Sequence, residues 1–534
     1  MGRKILFVTT DQQRYDSLGC TGGTVARTPV IDGLARDGVL YDRAHPQNVV
    51  CMPSRATIVT GQHVRHHGVW MNGVPLPADA PSVAQVLHDA GYATGLVGKA
   101  HFEPVLDPFL RFDENRMGRE GRHGPARGFD HLTFATHGGF GPTHYAQWLG
   151  REHPDEVGGY YPTLDVGRLE VNATGGGVSG APQVAVNPMP RELYHTDWVA
   201  DRAIAWLDSL DADADWFCWV SFPDPHHPWD PPQAEMHRVA AADLDLPAGF
   251  PESRAEIEKI LDDKPVHWRR WWEGSLVSNY EAPDRWVPAT LTVEQVREVN
   301  ARVHVENELI DEAVGRILRR VGERGWGDDT DVLFTTDHGE LQGDFGLLFK
   351  GPYHVDGLMR LPLIWRPAPS AGGADDAGAT GASEPSGASG APVPSGTEVT
   401  EPVGVVDLAP TFCAIAGVPV PDWMDGTPLP RSPAEARQQQ RQRVLTEWDS
   451  RHATGVEVHL QTVHRDGLTC TRYEPGTVHD GTEGELYDHA DDPLQRINRW
   501  DDPAYRPLRD DLLADLADSL PPRPATTLRV EAPV

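Results

Sequence analysis

Four short apolar segments of the chain have the composition of buried β-strands and end in polar side chains. These segments are residues 5–9, 94–97, 216–222 and 331–336. They alternate with segments of helical periodicity, residues 82–90, 196–210 and 293–321. This alternation predicts an α/β fold with a large, mixed but mostly parallel sheet that is flanked by helices. The carboxyl ends of parallel strands meet at one edge of the sheet, where open α/β folds carry their chemistry.

The polar residues that follow these segments form a recurrent pattern. In chain order they are Asp11-Gln12, Lys99-Ala100-His101, His226-His227 and Asp337-His338. Lys350 follows in a later loop, where we expect a cleft lysine that is exposed and adds little to folding. One polar pair after one strand would be an ordinary solvated surface group. The repetition at four strand ends instead predicts one site that is assembled from distant parts of the chain.

The stretch Cys51-Met52-Pro53-Ser54-Arg55 carries the strongest motif of the sequence. Four fixed residue types within five positions arise by chance in on the order of one chain per several hundred of this length. Pro53 restricts the local backbone, and the planar guanidinium of Arg55 suits a tetrahedral oxyanion. Residues 54–60 are predicted to be helical, and a helix N-terminus offers backbone N–H groups to an anion. An isolated Cys would be read as a buried structural residue, but the complete motif favours a reactive one.

The charge balance limits the partners that the protein can have. Lys and Arg total 47 against 79 Asp and Glu, a formal net charge of -32, so binding to nucleic acid or to an anionic membrane is not expected. An anionic substrate would need basic groups gathered at one place. The five cysteines lack CxxC spacing, and no apolar run approaches the roughly 20 residues of a membrane span. Without a signal-peptide pattern, the sequence predicts a soluble, cytoplasmic protein.

The length allows a large domain and a smaller companion. We predict a catalytic domain over residues 1–435 and a C-terminal α+β subdomain over residues 436–534, with a small antiparallel sheet and a packing helix. Residues 103–190 have weak periodicity and are predicted to be a long excursion over the sheet edge. Residues 367–402 are almost entirely Gly, Ala, Ser, Pro and acidic residues. Such a composition buries too little apolar surface, so we expect a disordered insertion there.

These features resemble type I sulfatases, members of the alkaline phosphatase superfamily in which a maturation enzyme oxidises the motif cysteine to formylglycine. The resemblance covers most of the chain, and its further motifs are Pro225-His226-x-Pro228, Asp337-His338-Gly339-Glu340, residues 407–411 and residues 484–488. It implies an alkaline-phosphatase-like fold and hydrolysis of a small or aryl sulfate ester to alcohol and inorganic sulfate. A formylglycine-generating enzyme would be the partner during maturation. The sequence does not define the oligomeric state, and a homo-oligomer is compatible with it.

The family pattern, carried over residue by residue, implies a role for each polar cluster. The ligands of one divalent metal would be Asp11, Gln12, Asp337 and His338. The catalytic residues would be Cys51 as formylglycine, Arg55, Lys99, His101, His226 and Lys350. Arg55 and Lys99 would steady the nucleophile, and His101 would be the base for its hydroxyl. The candidates for the substrate pocket are Asn72, His137, His227 and His354, each equally compatible with an ordinary loop residue.

Two positions depart from the common sulfatase pattern. Gln12 stands where many members carry a second Asp, and His338 stands where many carry Asn. The resemblance implies Ca²⁺, whereas one carboxylate fewer and one imidazole favour Mn²⁺ or a similar ion. The same pairs are similar to those of phosphonate monoester hydrolases and phosphodiesterases, while Lys99 and His101 are sulfatase-like. Two alternatives therefore stay open, a phosphonate or phosphate ester hydrolase and a catalytically idle binding protein on the same fold.

Overall fold

The computed structural model of the protein describes most of the chain, in which strands and helices alternate. The described residues are 3–105, 107, 109–161, 164–165, 170–171, 176–276, 286–369, 394, 396–451 and 455–532. The strands are β1 (Lys4–Thr10), β2 (Val39–Tyr41), β3 (Ala44–His45), β4 (Ala93–Gly98), β5 (His131–Phe134), β6 (Leu164–Asp165), β7 (Glu170–Val171), β8 (Trp216–Ser221), β9 (Thr330–Thr336), β10 (Leu363–Arg366), β11 (Thr397–Val399), β12 (Val403–Gly404), β13 (Arg443–Arg451), β14 (Glu457–Arg465), β15 (Leu468–Glu474) and β16 (Gly484–Asp488). The helices are α1 (Pro29–Arg36), α2 (Cys51–Thr60), α3 (Val64–His67), α4 (Val83–Asp89), α5 (Asp113–Glu120), α6 (His144–Glu152), α7 (His195–Ser209), α8 (Arg254–Asp262), α9 (Val266–Trp272), α10 (Val293–Glu323), α11 (Asp356–Met359), α12 (Leu408–Ala416), α13 (Pro433–Gln438) and α14 (Arg506–Ser519).

The main sheet has eight strands in the order β11-β2-β10-β9-β1-β8-β4-β5. All neighbouring strands in it are parallel except β10, which runs antiparallel to both β2 and β9. The predicted mixed, mostly parallel sheet is therefore confirmed. The four strands predicted from their apolar composition are four consecutive inner strands of the sheet, β9, β1, β8 and β4. Central strands are buried on both faces, which explains why they read as continuous apolar runs.

Two hydrophobic cores cover the two faces of the sheet. Along β1, Ile5 and Phe7 belong to one core, whereas Leu6 and Val8 belong to the other, as the two-residue period of a strand requires. Helices α2, α4 and α12 contribute apolar residues to the first core, and α1, α7 and α10 to the second. None of the described helices combines the length and the apolar content that crossing a bilayer requires.

The C-terminal part of the chain forms a second, smaller sheet. Strands β13, β14, β15 and β16 pair consecutively and antiparallel. Helix α14 packs on this sheet, and its Leu512 and Leu516 share an apolar cluster with Val463 and Cys470. This arrangement confirms the predicted antiparallel sheet with a packing helix. Short runs at residues 456–463, 468–473 and 485–487 indicate three strands in the sequence, and these match β14, β15 and β16, whereas β13 was not predicted.

Residues 103–190 differ from the predicted excursion over the sheet edge. They contain α5, α6 and strand β5, which pairs in parallel with β4 and completes the edge of the main sheet. Leu132 and Phe134 of β5 are buried. The prediction was wrong here because β5 has only four residues, which is too short a run for periodicity to distinguish from a loop.

The end of the segment that was predicted to be a disordered insertion is ordered in the structure. Residues 370–393 and 395 lie outside the described residues. Thr397–Val399, however, form β11, which pairs in parallel with β2 at the other edge of the main sheet and buries Val399. A three-residue strand needs no apolar run of its own, since the neighbouring strand supplies its hydrogen bonds.

Candidate active site

The four central strands bring distant polar residues to one edge of the sheet. Because β9, β1, β8 and β4 are mutually parallel neighbours, their carboxyl ends lie side by side. These ends carry Asp337, Asp11, the loop 224–228 and Lys99, in that order across the sheet. The backbone amide of Asp11 donates to the carbonyl oxygen of Asp224 at 3.1 Å. The polar clusters that are separated along the chain are thus adjacent in space.

Helix α2 holds Cys51 at this edge. Cys51 is the first residue of the helix, and Pro53 lies in the first turn, where a missing backbone N–H is tolerated. Gly61 follows the last turn with a φ of 66°, the left-handed conformation that favours glycine after a helix. All residues of α2 are buried, and the amide of Met52 donates to Oδ1 of Asn72 at 3.0 Å. These contacts leave Cys51 little freedom to move.

Asp11, Cys51, Asp337 and His338 form a compact cluster, hereafter the metal cluster. One ligand atom from each lies within 4.8 Å of the others. Sγ of Cys51 is 3.1 Å from Nε2 of His338 and 3.7 Å from Oδ1 of Asp11. Nδ1–H of His338 donates to the carbonyl oxygen of Gly339 at 2.9 Å, so the lone pair of the neutral ring is on Nε2. Two carboxylates and an imidazole in this tautomer fit a divalent metal ion.

Arg55 connects the metal cluster to the strands. Its guanidinium donates to Oδ2 of Asp337 at 2.8 Å and to Oδ2 of Asp11 at 3.1 Å. Nη1 also donates to the carbonyl oxygen of Lys99 at 2.6 Å and to Oγ of Ser221 at 2.8 Å. Arg55 is fully buried, where an unpaired charge would be costly, so each charged partner depends on the other. Arg55 therefore orients both carboxylates of the cluster.

A row of basic side chains lies beside the metal cluster. Nζ of Lys99 is 2.5 Å from Oδ2 of Asp11 and donates to Nε2 of His137 at 2.9 Å. The ring of His137 stacks on the ring of His226, with centroids 4.0 Å apart and planes inclined by 20°. Nζ of Lys350 donates to Nε2 of His226 at 2.8 Å. Two lysine ammonium groups thus lie at the ends of a pair of stacked imidazoles, hereafter the lysine–histidine row.

Gln12 contacts both the metal cluster and the row. Its backbone amide donates to Oδ1 of Asp337 at 3.1 Å, and its Oε1 accepts from Nζ of Lys350 at 2.6 Å. Its Nε2 lies 3.0 Å from Nδ1 of His227 and donates to Glu340. The φ of Gln12 is 61°, an uncommon conformation for a residue with a side chain, and such strain concentrates at functional sites.

Comparison with known families identifies the class of protein. The family model described as Sulfatase matches residues 3–418, and the model described as N-sulphoglucosamine sulphohydrolase, C-terminal, matches residues 390–520. The chain belongs to the sulfatase family. It is therefore a member of the alkaline phosphatase superfamily and an enzyme of the sulfuric ester hydrolase class.

Relatives of this sulfatase match over much of its length. The uncharacterized sulfatase YidJ of Escherichia coli (strain K12) is 24% identical over 521 residues, 96% of this chain and 87% of that protein. An arylsulfatase of Clostridium perfringens is 26% identical over 380 residues, 68% of each chain. The crystal structure of the phosphonate monoester hydrolase of Agrobacterium radiobacter has a TM-score of 0.74 and 25% identity, covering 97% of this chain and 95% of that chain.

Burial and neighbouring charges shift the pKa values of three residues of the metal cluster in different directions. Burial alone would raise the pKa of the Asp11 carboxyl, but the Lys99 ammonium and other cationic groups lower it well below its usual range. Burial, with nearby Asp11, raises the pKa of the Cys51 thiol to about 12, so the unmodified side chain is a thiol rather than a thiolate at neutral pH. Burial lowers the pKa of His338, which keeps the ring neutral, as metal coordination requires.

His101, to which the resemblance gives a role, and three pocket candidates named from the sequence have distinct surroundings in the sulfatase. Asn72 contacts the first turn of α2, as described above, and His227 contacts Gln12. His101 is buried at the end of β4 with a φ of 56°, and its role as a base stays a prediction. Nδ1 of His354 lies 2.6 Å from Oγ1 of Thr462, a contact that joins its loop to β14 of the C-terminal sheet.

Lys350 is not the exposed cleft lysine that the sequence suggested. Only 2% of the residue is exposed, and its ammonium group is held by Gln12 and His226. The prediction was wrong because exposure depends on which loops cover a residue, and Phe349 and Lys350 contact the loops that follow β1 and β8. The predicted small contribution to folding therefore no longer holds.

Sequence reasoning gave no role to the buried Glu340 and named the half-buried His137 only as a candidate for the substrate pocket. His137 binds Lys99, and Glu340 accepts a hydrogen bond from Gln12. Burial raises the pKa of Glu340 to about 7. A signal for His137 was present, because the short β-rich stretch Leu132-Thr133-Phe134-Ala135 is followed by Thr136 and then His137, as polar residues follow the other strands.

Proposed function

We propose that the protein hydrolyses sulfate esters of small or aryl alcohols, with a formylglycine made from Cys51 as the nucleophile and one divalent metal ion. The observation that carries this proposal is the position of Cys51. Its Sγ lies within 3.8 Å of Asp11, His338 and the ammonium group of Lys99. A nucleophile at this point would meet metal ligands on one side and a fixed positive charge on another, which is what an anionic ester requires.

The residues that would hold the metal are Asp11, Gln12, Asp337 and His338. A bound divalent ion would neutralise negative charge on the sulfate oxygens and on the nucleophile. Three observations support the fit: the proximity of the two carboxylates, their shared partner Arg55, and the tautomer of His338. One carboxamide and one imidazole among four ligands favour Mn²⁺ over Ca²⁺.

The chain's own residues would carry the reaction in two stages. The hydrated aldehyde at position 51 has two hydroxyls on one carbon. The oxygen of one of them would attack sulfur while the bond from sulfur to the alcohol oxygen breaks, and the proton that this hydroxyl loses is balanced by the one that the departing alcohol oxygen gains. His101 would then take the proton of the second hydroxyl, which breaks the bond to sulfate and restores the aldehyde. Serine at this position could attack, but it has no second hydroxyl with which to release the product.

Lys99, Lys350 and His226 would contact the sulfate and the leaving oxygen. Because a lysine ammonium has only donors, His226 accepts the hydrogen bond from Lys350 at Nε2. Nδ1–H of His226 donates to the carbonyl oxygen of His227, so the ring is neutral. Of Lys350 and His226, Lys350 therefore has the proton to give to the departing alkoxide. His226 orients the ammonium group of Lys350.

Maturation of Cys51 would have to precede folding. The residue is 1% exposed at the start of a buried helix, so a formylglycine-generating enzyme could not reach it in the folded protein. We propose that this enzyme acts on the extended chain, where the motif of residues 51–55 is accessible.

A phosphonate or phosphate ester is the second candidate substrate. It is favoured by Gln12 and His338 and by the likeness to the phosphonate monoester hydrolase of Agrobacterium radiobacter. Lys99 and His101, which are sulfatase-like, oppose it. We expect the matured, metal-loaded enzyme to have a kcat/KM for nitrophenyl sulfate at least about 100-fold higher than for a nitrophenyl phosphonate monoester, a difference of about 2.7 kcal/mol in activation free energy. The reverse preference would replace the proposed substrate by a phosphonate.

Replacing Lys350 by Ala should lower both turnover and stability. We expect kcat to fall about 10²- to 10³-fold, because a preorganised donor for developing charge is lost. We expect the free energy of unfolding to fall by about 1–3 kcal/mol, because Gln12 and His226 lose a buried hydrogen-bond partner. Steady-state kinetics and urea unfolding of the same preparations measure the two effects.

Lys264 provides the matched control for this experiment. It is also a buried lysine, and its Nζ donates to the hydroxyl of Tyr487 at 2.6 Å and to the carbonyl oxygen of Gln495 at 2.8 Å, where the C-terminal part of the chain packs on α9. Lys264→Ala should lower stability by a similar amount and leave the kcat of the folded enzyme nearly unchanged. Equal losses of kcat in both variants would remove Lys350 from the proposed mechanism.

A further inference from the structure

We propose that His137 is a positioning residue that holds the ammonium group of Lys99 in its sulfate-binding position. This inference rests on the proposed function of the same site, since it concerns the anion that Lys99 binds. His137 lies in the loop after β5, the edge strand of the main sheet. It contacts Lys99 and His226 rather than the reacting atoms.

The surroundings of Lys99 explain why a positioning residue is needed. Its ammonium group lies at the end of a flexible side chain, 2.5 Å from Asp11 and 3.8 Å from Sγ of Cys51. If Asp11 were its one strong partner, the ammonium group would be free to turn about that carboxylate. Asp11 is also needed as a ligand of the metal. A second acceptor on a different element limits this movement. His137 supplies that acceptor, 2.9 Å away.

The direction of the hydrogen bond follows from the chemistry of the donor. A lysine ammonium has three N–H donors and no acceptor. Nε2 of His137 is therefore the acceptor, the ring is neutral, and its proton is on Nδ1. A neutral ring fixes Lys99 without adding a further positive charge that would hold the sulfate product in the site.

The remaining contacts of His137 support this role. Within the described residues Lys99 is the one hydrogen-bond partner of the ring, because Nδ1 is buried and has none there. The face of the ring stacks on His226, with centroids 4.0 Å apart. His137 therefore joins the two lysines of the lysine–histidine row through His226, so the spacing between Lys99 and Lys350 depends on it.

Three variants separate the hydrogen bond from the stacking contact. His137→Phe keeps an aromatic ring but removes the acceptor, His137→Gln keeps an acceptor near the position of Nε2, and His137→Ala removes both. For His137→Phe we expect kcat/KM and the affinity for inorganic sulfate to fall together by about 10- to 100-fold, the range for a hydrogen bond to a charged group. His137→Gln should recover most of both. The readouts are the kinetics of nitrophenyl sulfate hydrolysis and calorimetric binding of sulfate to the metal-loaded enzyme.

His144→Phe is the matched control. His144 is another histidine near β5 and is buried. Its Nδ1 accepts from the backbone amide of Phe134, and its Nε2 donates to the carbonyl oxygen of Arg122, at 2.9 Å each. This variant should lower thermal stability and leave sulfate affinity unchanged. If His144→Phe weakens sulfate binding as much as His137→Phe does, or if His137→Gln is no better than His137→Phe, the positioning role is overturned.

The same measurements distinguish this proposal from the proposed function. If wild-type enzyme cleaves a phosphonate monoester and not nitrophenyl sulfate, the sulfatase assignment fails. The three variants are then compared on the phosphonate, with inorganic phosphate as the bound anion, and the ratio between His137→Gln and His137→Phe still decides the role of His137. If wild-type enzyme binds neither sulfate nor phosphate, both proposals are wrong.

Discussion

Cys51→Ala is expected to abolish ester hydrolysis, with kcat lowered by at least about 10⁴-fold, the scale seen when a nucleophile is removed. The reason is that the other three members of the metal cluster are already engaged. Asp11 and Asp337 are paired with Arg55, and His338 is oriented by Gly339. Stability should change little, because Ala fits the first turn of a helix. Initial rates with nitrophenyl sulfate and thermal unfolding measure the two quantities.

Two further variants sharpen this experiment. Cys51→Ser should take up one equivalent of sulfate and stop, which intact-protein mass spectrometry would detect as a stable mass increase. Cys413→Ala removes a different buried cysteine, from α12, and should retain the activity of the wild-type enzyme. Full activity in Cys51→Ala, or a peptide mass showing an unmodified thiol in a fully active enzyme, would disprove the formylglycine mechanism.

Asp337→Asn is expected to remove the metal and to lower kcat about 10³-fold. Three hydrogen bonds fix the carboxylate of Asp337 in place. Oδ2 accepts from Arg55, and Oδ1 accepts from the backbone amides of Gln12 and His338. Asn lacks the negative charge that balances Arg55 and the metal. Metal analysis after gel filtration should find about one equivalent in the wild-type enzyme and far less in the variant.

Thermal unfolding gives an independent measure of the same loss. A metal present at 100 times its dissociation constant stabilises the folded wild-type enzyme by about 2.7 kcal/mol, so a chelator should lower its melting temperature. The melting temperature of Asp337→Asn should not respond to the chelator. Asp344→Asn is the control, since Asp344 is a buried carboxylate that pairs with Arg14. An unchanged metal content in Asp337→Asn would exclude this residue as a ligand.

The parts of the fold that the sequence predicted well are those with long or contiguous signals. The central strands β1, β4, β8 and β9 bury both faces, so each appears as an uninterrupted apolar run. Helices α7 and α10 each span several turns and show a clear 3.6-residue period. The Cys51 motif is contiguous, so it could be recognised without knowledge of the fold.

The parts that were missed have short or indirect signals. Strands β5 and β11 are brief edge strands whose pairing partners supply the order that their own residues do not encode. The burial of Lys350 depends on loops from other parts of the chain. His137 could not be linked to Lys99 because that contact requires β5 to lie beside β4, and the strand order of a sheet is not visible in local periodicity.

Three features could be read from the amino-acid sequence: the class of fold, the strand ends that carry polar residues, and the motif that points to sulfatase chemistry. The contacts between these side chains depend on the folded arrangement of the strands and could not be read from the sequence. The order of strands across the sheet placed Asp337 beside Asp11 and brought β5, with His137, next to Lys99. That order results from packing whole helices against whole faces of the sheet, a global property that no single segment of the chain contains.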